Sequence, residues 1–174
     1  GFGEMLARTL DMTANFSVAD GRLSGFDFLD RLSDLTNSET FSDLRFFEFL
    51  GTVNFEDGRG EIRQTRVVGE QNKLTFVGSW GLDGSFRIQI DPAINRNLLG
   101  GSSGLQQYAS LTSDDEGFVR LPVGLIIEGR GGQYAMQPTA SVPLAGMGEG
   151  GTPDLGQAVR GVLGGVVQQQ LEER

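Results

Sequence analysis

The residue types that carry most enzyme chemistry are missing from this sequence, which has no His and no Cys in 174 residues. Without His there is no Ser-His-Asp triad and the commonest general base is lost. Without Cys there is no thiolate nucleophile, disulfide or thiolate metal site. A carboxylate-dependent hydrolase stays open as an alternative, but spacing alone identifies no acid–base pair. We predict that the protein is not an enzyme, and we expect no cofactor and no metal.

Three short patterns could still bind a ligand. Residues 146–151 have the letters G-x-G-x-x-G, but no βαβ pattern surrounds them, so we interpret them as linker. Asp114, Asp115 and Glu116 could ligate Ca²⁺, yet they lack the spaced oxygens and fixed Gly of a calcium loop. We interpret them as a solvated loop. Lys73 follows a predicted turn, and we interpret it as a surface residue.

Charge and hydropathy narrow the partners. The formal net charge is −9, which argues against nucleic acid and against docking on anionic membrane through a basic patch. No apolar run approaches the ~20 residues that span a bilayer, so we predict no transmembrane segment. The sequence begins at Gly1 without a signal-like segment. We expect a piece of a longer protein whose upstream part carries any targeting information.

The elements that must position any site are mostly strands, and the clearest ones lie between residues 44 and 91. Apolar or small residues alternate with mostly polar ones, as in a half-buried strand: Phe47, Phe49, Gly51, Val53 and Phe55 against Glu48, Leu50, Thr52, Asn54 and Glu56. The alternation resumes at Leu74, Phe76, Gly78, Trp80 and Leu82, and again at Phe86, Ile88 and Ile90. Asp57-Gly58 and Asp83-Gly84 suit tight hairpin turns. This predicts an antiparallel β-meander with one apolar face.

The flanking segments extend this sheet. Residues 10–18 alternate, Asp20-Gly21 predicts a turn, and a return strand follows from Arg22. Helical spacing then predicts a short capping helix at about 26–36. We expect Asp91-Pro92 to close the meander, a turn of helix at 93–99, another strand around Pro122 with that residue at an edge or bulge, and a last strand with Tyr134 and Met136.

An internal repeat is also visible, because Asn-Phe precedes Asp-Gly-Arg both at residues 15–22 and at residues 54–59. It indicates either recurring hairpin chemistry or a repeated two-strand unit. The domain prediction is one β-rich domain over residues 1–138, a Gly-rich linker over 139–152 and an amphipathic helix over 153–174. Several glycines weaken that helix, which therefore needs an apolar surface, either its own sheet or a partner.

Taken together, residues from about 8 to 138 resemble the AsmA-like C-terminal region of bacterial AsmA/TamB-type envelope proteins. The matching pieces are TANFSVADGRLSGFDF, LDRLSDL, TVNFEDGRGEI, LTFVGSWGLDGSFRIQI and RLPVGLIIEG. The sequence departs from the family pattern after Gly129, where the expected proline arrives only at Pro138.

The resemblance implies a curled β-sheet with a hydrophobic groove, in a periplasmic protein anchored in the inner membrane. It also implies a role in phospholipid transport and outer-membrane biogenesis, with acyl chains, other β modules of the same longer protein or other envelope proteins as partners. No catalytic residues come with the family. The candidate groove lining consists of Phe16, Phe47, Phe49, Val53, Phe55, Leu74, Phe76, Trp80, Phe86, Ile88 and Ile90.

Two functions therefore compete. In the first, the apolar face is a lipid-binding groove, because the two predicted helices are too little to cover five or more strands. In the second, the helices cover the face completely and the protein is a structural or interaction module that joins neighbouring β units through its edge strands.

Overall fold

The computed structural model describes residues 1–98 and 103–140. Its strands are β1 (Met12–Ser24), β2 (Asp43–Glu56), β3 (Arg59–Gly69), β4 (Asn72–Gly81), β5 (Phe86–Asn95), β6 (Phe118–Arg120), β7 (Val123–Arg130) and β8 (Gln133–Ala140). Its α-helices are α1 (Phe2–Thr9), α2 (Asp27–Thr36) and α3 (Ser103–Thr112), and two 3₁₀ turns lie at Glu39–Phe41 and Arg96–Leu98.

The strands form one open antiparallel sheet in the order β1-β2-β3-β4-β5-β7-β8, and β6 pairs with the end of β5. Consecutive strands are neighbours almost throughout, so the mainly-β meander predicted from the alternation is confirmed. The capping helix is confirmed as α2, which ends at Asn37 in the left-handed conformation with φ of 50°. Asp27 and Asp30 lie in its first turn, where acidic side chains favour the positive end of the helix dipole.

The two Asp-Gly-Arg copies adopt different structures. At Asp57-Gly58 both residues have positive φ, 52° and 77°, which is the geometry of a two-residue hairpin turn between β2 and β3. At Asp20-Gly21 only the aspartate is left-handed, with φ of 52°, and β1 runs on to Ser24. The predicted turn there is wrong, and the repeat is not a repeated two-strand unit, because β1 stays paired with β2 in one register from Met12 to Ser24.

The same point of the sheet shifts the alternation of β2. Phe46 pairs with Gly21 and Glu48 with Ala19, and the register between β2 and β3 slips between Phe46 and Glu48. Phe46 is buried and contacts Phe49, with ring centroids 5.8 Å apart, whereas Phe47 is 54% exposed. The prediction that Phe47 shares the apolar face is wrong, since the bulge moves Phe46 onto that face instead.

The end of the meander also differs from prediction. Asp91-Pro92 does not close it, because β5 continues to Asn95 and Pro92 pairs with Leu74. A 3₁₀ turn at Arg96–Leu98 follows in place of the helical turn expected at 93–99. Farther on, the strand around Pro122 is interrupted between β6 and β7, as expected for a residue without an amide donor, and β8 contains Tyr134 and Met136.

The core lies between one end of the sheet and the helices. One buried cluster joins the helices to the strands. Its members outside the sheet are Leu29 and Leu32 of α2, Phe41 of the 3₁₀ turn and Ala109 of α3. The strand members of that cluster are Leu44, Phe46, Val67, Leu74, Ile90, Ile94, Val119, Leu121, Val123 and Leu125. Since α2 packs here, the apolar face is the one that the helices share.

A contact between distant parts of the chain shows that the sheet is curled around this face. Asp27 lies three residues after the end of β1, so it is at most about 11 Å from it. The Tyr134 hydroxyl of β8 nevertheless donates a hydrogen bond to Asp27 Oδ2 at 2.6 Å. Along the sheet, β1 and β8 are six strand spacings apart, or roughly 29 Å. The edge strands therefore approach each other across α2, and the apolar face is concave.

Two predictions at the C-terminus fall largely beyond these residues. The linker predicted over 139–152 is wrong at its first two residues, because β8 extends to Ala140. The remainder of that linker and the amphipathic helix predicted over 153–174 lie outside the described residues.

Candidate functional site

The concave face carries a continuous set of apolar side chains across the sheet. Strand pairing aligns them in rows, for example Val53 with Ile62, and Trp80 with Gly60 and Phe86. Residues paired directly across antiparallel strands point to the same side of the sheet. Each row therefore continues from β1 to β8 on the face that α2 also occupies.

This face has two halves that differ in cover. The covered half consists of the buried cluster beneath α2, the Glu39–Phe41 turn and α3. Its residues are completely withdrawn from solvent, as Leu74 at 0% and Ile90 at 1% exposure illustrate. Phe49, Phe76, Ile88, Ile127 and Met136 form the boundary, where they are partly buried against the cluster. At this boundary Phe28 of α2 packs edge-on against Phe76, with ring centroids 6.2 Å apart.

The open half lies toward the hairpin turns, and the start of α2 reaches its edge, where Asp27 accepts the hydrogen bond from Tyr134. We define it as Met12, Ala14, Phe16, Val53, Phe55, Ile62, Trp80, Phe86 and Tyr134, which are all half-buried or exposed. Met12 is 49% and Tyr134 52% exposed. Apart from the Tyr134 phenol, which donates to the Asp27 carboxylate, the side chains of this set are apolar.

The largest rings of the open half lie across glycines of the neighbouring strand. Trp80 is paired with Gly60, Phe86 with Gly129, and Phe16 with Gly51. A Cβ built on Gly60 would collide with ring atoms of Trp80, and one on Gly129 would lie 2.9 Å from Phe86 Cζ. The rings therefore lie over the backbone of the neighbouring strand instead of standing up from it.

A pair of turns closes the far end of the open half. Arg130, beside the β7–β8 turn, donates to Asp83 Oδ2 of the β4–β5 turn at 2.7 Å. Asp83 also accepts hydrogen bonds from the hydroxyl and the amide of Ser85, at 2.6 and 3.0 Å. These bonds from Ser85, and then the one from Arg130, lower the pKa of the Asp83 carboxyl to about 2. The clamp holds the two turns in register at this rim.

The structure brings ten of the eleven predicted lining residues onto one face. Five of them lie in the open half: Phe16, Val53, Phe55, Trp80 and Phe86. Phe49, Phe76 and Ile88 lie at the boundary. Leu74 and Ile90 are core residues beneath the helices, so the expectation that they line an accessible groove is wrong. Phe47 lies off the face because of the bulge in β2.

Several residues of the open half were not among the predicted lining. Ile62 could have been found from the Asp57-Gly58 turn, because a two-residue hairpin loop fixes the register that pairs it with Val53. Met12, Ala14 and Tyr134 were in predicted strands. Met12 and Ala14 alternate with Phe16 and could have been found from that alternation, whereas Tyr134 joins the row of Trp80 and Phe86 through its pairing with Gly129, which the alternation does not reveal.

The opposite face of the sheet contains an ion-paired cluster beside a small buried apolar group of Val68, Ala93 and Phe118. Lys73 is only 8% exposed, and its ammonium donates to Asp114 Oδ2 at 2.6 Å and to Glu116 Oε1 at 3.0 Å. The interpretation of Lys73 as a surface residue is therefore wrong, whereas Asp114, Asp115 and Glu116 are exposed, as the interpretation of a solvated loop predicts. Burial raises the pKa of Asp114, but its bonds from Lys73 and from the amides of Phe118 and Glu116 outweigh this and lower that pKa overall.

Within residues 1–98 and 103–140, no group of three or more acidic side chains is arranged to hold a metal ion. No helix in the same residues is long and apolar enough to cross a membrane. The chemistry on offer is therefore contact with apolar surface on the concave face and charge pairing on the other.

Comparison with known proteins gave no matching family model, no matching curated protein and no matching solved structure.

Proposed function

We propose that this protein is a non-enzymatic module that binds the acyl chains of phospholipids in the open half of its concave face. The mechanism is passive. Transfer of hydrocarbon from water to the open half is favourable by about 0.8 kcal/mol of free energy for each buried methylene. Binding therefore needs no nucleotide or cofactor. Ten buried methylenes would contribute roughly 8 kcal/mol before the losses from ordering and association are subtracted.

The observation that carries the proposal is the way the open half is built. Trp80, Phe86 and Phe16 lie over glycines of the neighbouring strands, and the side chains of the open half are only half-buried or exposed. A face that only had to be buried would present side chains that interdigitate with a cover, as the covered half does. An apolar surface left open at this scale is typical of a ligand or partner site.

The dimensions of the open half suit hydrocarbon. Across the seven strands from β1 to β8 it measures roughly 29 Å along the curve. One acyl chain spans half of a hydrocarbon core that is ~30 Å thick, or about 15 Å. The open half is therefore long enough for one chain lying fully on the sheet, with space for part of a second.

The resemblance to AsmA-like envelope proteins supports placing this activity in the periplasm, in phospholipid transport and outer-membrane biogenesis. In that setting an inner-membrane anchor would lie in an upstream segment. In the described sheet, β1 and β8 each pair with a single strand. Their free edges could join other β modules of the same longer protein, or envelope proteins, and so lengthen the groove.

The direct test is organic extraction and mass spectrometry of the full chain, purified without detergent. We expect phospholipid at a stoichiometric ratio. A protein that is free of lipid, and that does not take up acyl chains from added phospholipid, would overturn the proposal.

A matched pair of variants on one strand locates the binding. Trp80 and Val77 both lie on β4, but Val77 is on the opposite face and 43% exposed. We expect Trp80→Asp to abolish lipid capture, since it places a charge in the open half, and Val77→Asp to leave it unchanged. Circular dichroism establishes that both variants fold. Equal capture by folded Trp80→Asp and by the wild type would contradict the assignment.

A further inference from the structure

A second site is visible on the opposite face of the sheet, away from the open half. A cavity of about 360 Å³ lies between α3, the 113–118 loop and strands β4 and β5. Its polar lining includes Lys73, Thr75, Asp91, Asp114 and Arg120. This volume is at the lower end of the range of small-molecule sites, so it suits a compact ligand.

The charge of Lys73 is already neutralised within the cavity wall. Its ammonium bonds to Asp114 and Glu116 and lies 5.8 Å from the centre of the Phe118 ring. Glu116 also pairs with Arg66 at 3.0 Å, and Arg66 reaches Glu48 at 3.4 Å. This network therefore pairs buried Lys73 and half-buried Arg66 with other carboxylates, so neither cation pairs with Asp91.

Asp91 has no cation of its own in the described chain. It is 9% exposed, and its carboxylate accepts hydrogen bonds from the Gln89 amide at 3.1 and 3.4 Å. No Lys or Arg nitrogen of the described residues forms a salt bridge with it. A carboxylate this deeply buried is unfavourable without a positive partner. A cation that is small enough to enter the cavity would therefore stabilise the Asp91 carboxylate.

Two residues near Asp91 indicate which other groups a ligand containing that cation would have. Thr75 lies directly opposite Asp91 on β4, which places its hydroxyl beside the carboxylate as a second acceptor. Arg120 lies opposite Ala93, two residues along β5 from Asp91, so it is a diagonal neighbour at roughly 7–8 Å. Arg120 is exposed, and in the described residues its guanidinium forms no ion pair. An acceptor pair and a free cation thus face the same cavity.

We propose that this cavity binds a small zwitterion with a primary ammonium at one end and an anionic group at the other. The ammonium donates to Asp91 and Thr75, and the anionic group pairs with Arg120. The spacing of the two ends suits a short linker of a few bonds, as in an aminoalkyl phosphate. That chemistry occurs both in free phosphoethanolamine and in the headgroup of phosphatidylethanolamine.

Titration calorimetry of the full chain with four probes tests the chemistry. We expect saturable 1:1 binding of phosphoethanolamine and about tenfold weaker binding of ethanolamine, which lacks the anion. Phosphocholine has no N–H donor and inorganic phosphate has no ammonium, so neither should bind measurably. Absence of phosphoethanolamine binding, or equal binding of phosphocholine, would overturn the proposal.

Variants then assign the two ends. Asp91→Asn should abolish binding of phosphoethanolamine and ethanolamine alike, whereas Arg120→Gln should reduce phosphoethanolamine to the affinity of ethanolamine. Arg87→Gln is the matched control, because Arg87 is an exposed cation on the same face of β5 outside the cavity. If Asp91→Asn fails to fold, Arg120→Gln still tests the proposal, because substitution of the exposed Arg120 should have little effect on folding. Phosphoethanolamine binding that is unchanged in folded Arg120→Gln would also overturn the proposal.

A vesicle arm identifies the source of the ligand. If the headgroup is the natural ligand, vesicles that contain phosphatidylethanolamine should sediment the wild type but not Asp91→Asn, and pure phosphatidylcholine vesicles should sediment neither. If the free compound is the ligand, the calorimetric pattern appears without any difference between the vesicles. Sedimentation of the wild type by both kinds of vesicle, together with no calorimetric binding, would contradict the site.

Discussion

The covered and open halves of the concave face are built by the same strands and yet use different side chains. Where helices pack, the strand residues are mostly aliphatic, as at Val67, Leu74 and Leu125, because branched side chains stand up and interdigitate with a cover. Where the face is open, the largest residues are aromatics opposite glycines, as at Trp80 and Gly60. A flat ring shields backbone from water without needing anything above it. Phe46 of the covered half also lies across a glycine, Gly21, so the two halves differ in their cover and in their share of aliphatic residues.

The largest expected effect is the difference between the losses of stability caused by substitutions in the covered half and in the open half. Leu74→Ala should destabilise the protein by about 2–5 kcal/mol, because it leaves a cavity in the core. Ile62→Ala in the open half should lose less than about 2 kcal/mol, because the site is already partly hydrated. Midpoints of urea unfolding with unchanged slopes measure both losses. Equal losses would mean that the open half is buried in solution, and the comparison would fail.

The next test concerns the flat rings. Gly60→Ala should force the Trp80 ring away from the sheet, which destabilises the fold and fills the space above it. In a Trp80→Ala background the same change should be nearly neutral, so the double-mutant cycle should give a coupling of roughly 1–3 kcal/mol. Because Trp80 is the single Trp of the chain, its fluorescence also reports the displacement. Additive losses would show that the ring does not rest on Gly60.

A smaller effect concerns the rim clamp and depends on pH. The pKa of Asp83 is lowered from 3.8 to about 2, so the stability that it contributes is present above its ordinary pKa and disappears as pH falls through about 2. Asp83→Asn should be less stable than the wild type at neutral pH. The difference in urea midpoint should shrink between pH ~4 and pH ~2. A difference that is independent of pH would show that the carboxylate charge does not hold the clamp.

The smallest expected change tests the rival function. Removing residues 141–174 should leave lipid capture within about twofold and the protein monomeric, if the open half is a ligand site. Light scattering and quantitative mass spectrometry of extracted lipid measure the two quantities. Aggregation or dimerisation of the truncated chain would favour the structural or interaction module, in which the C-terminal segment serves as cover.

The sequence predicted the parts of this fold that depend on local rules. The alternation, the hairpin turns at Asp57-Gly58 and Asp83-Gly84, and α2 all follow from periodicity and turn chemistry. The continuation of β1 through Asp20 could not be predicted, because the same letters form a turn where both residues are left-handed. The register shift between β2 and β3 misplaced Phe47, since one extra residue reverses the face of every side chain beyond it.

The candidate sites depended on information that no local pattern contains. Leu74 and Trp80 lie on the same strand and the same face, and only the position of α2 separates core from accessible surface. Likewise, the sequence around Lys73 is typical of a solvent-facing residue, but in the structure its ammonium bonds to Asp114 and Glu116 of the 113–118 loop. Alternation identifies which side of a sheet a residue occupies, but it does not reveal what packs there.

The bond between Asp27 and Tyr134 has a consequence for how the chain folds. Most strand pairs join sequence neighbours, so the meander can zip up hairpin by hairpin with little loss of loop entropy. The Asp27–Tyr134 contact instead closes a separation of 107 positions. Its closure entropy is larger, so we expect the curl to form after the sheet has paired. During unfolding, the sheet should uncurl before its strands separate. The concave face would then be the first part of the native structure to open.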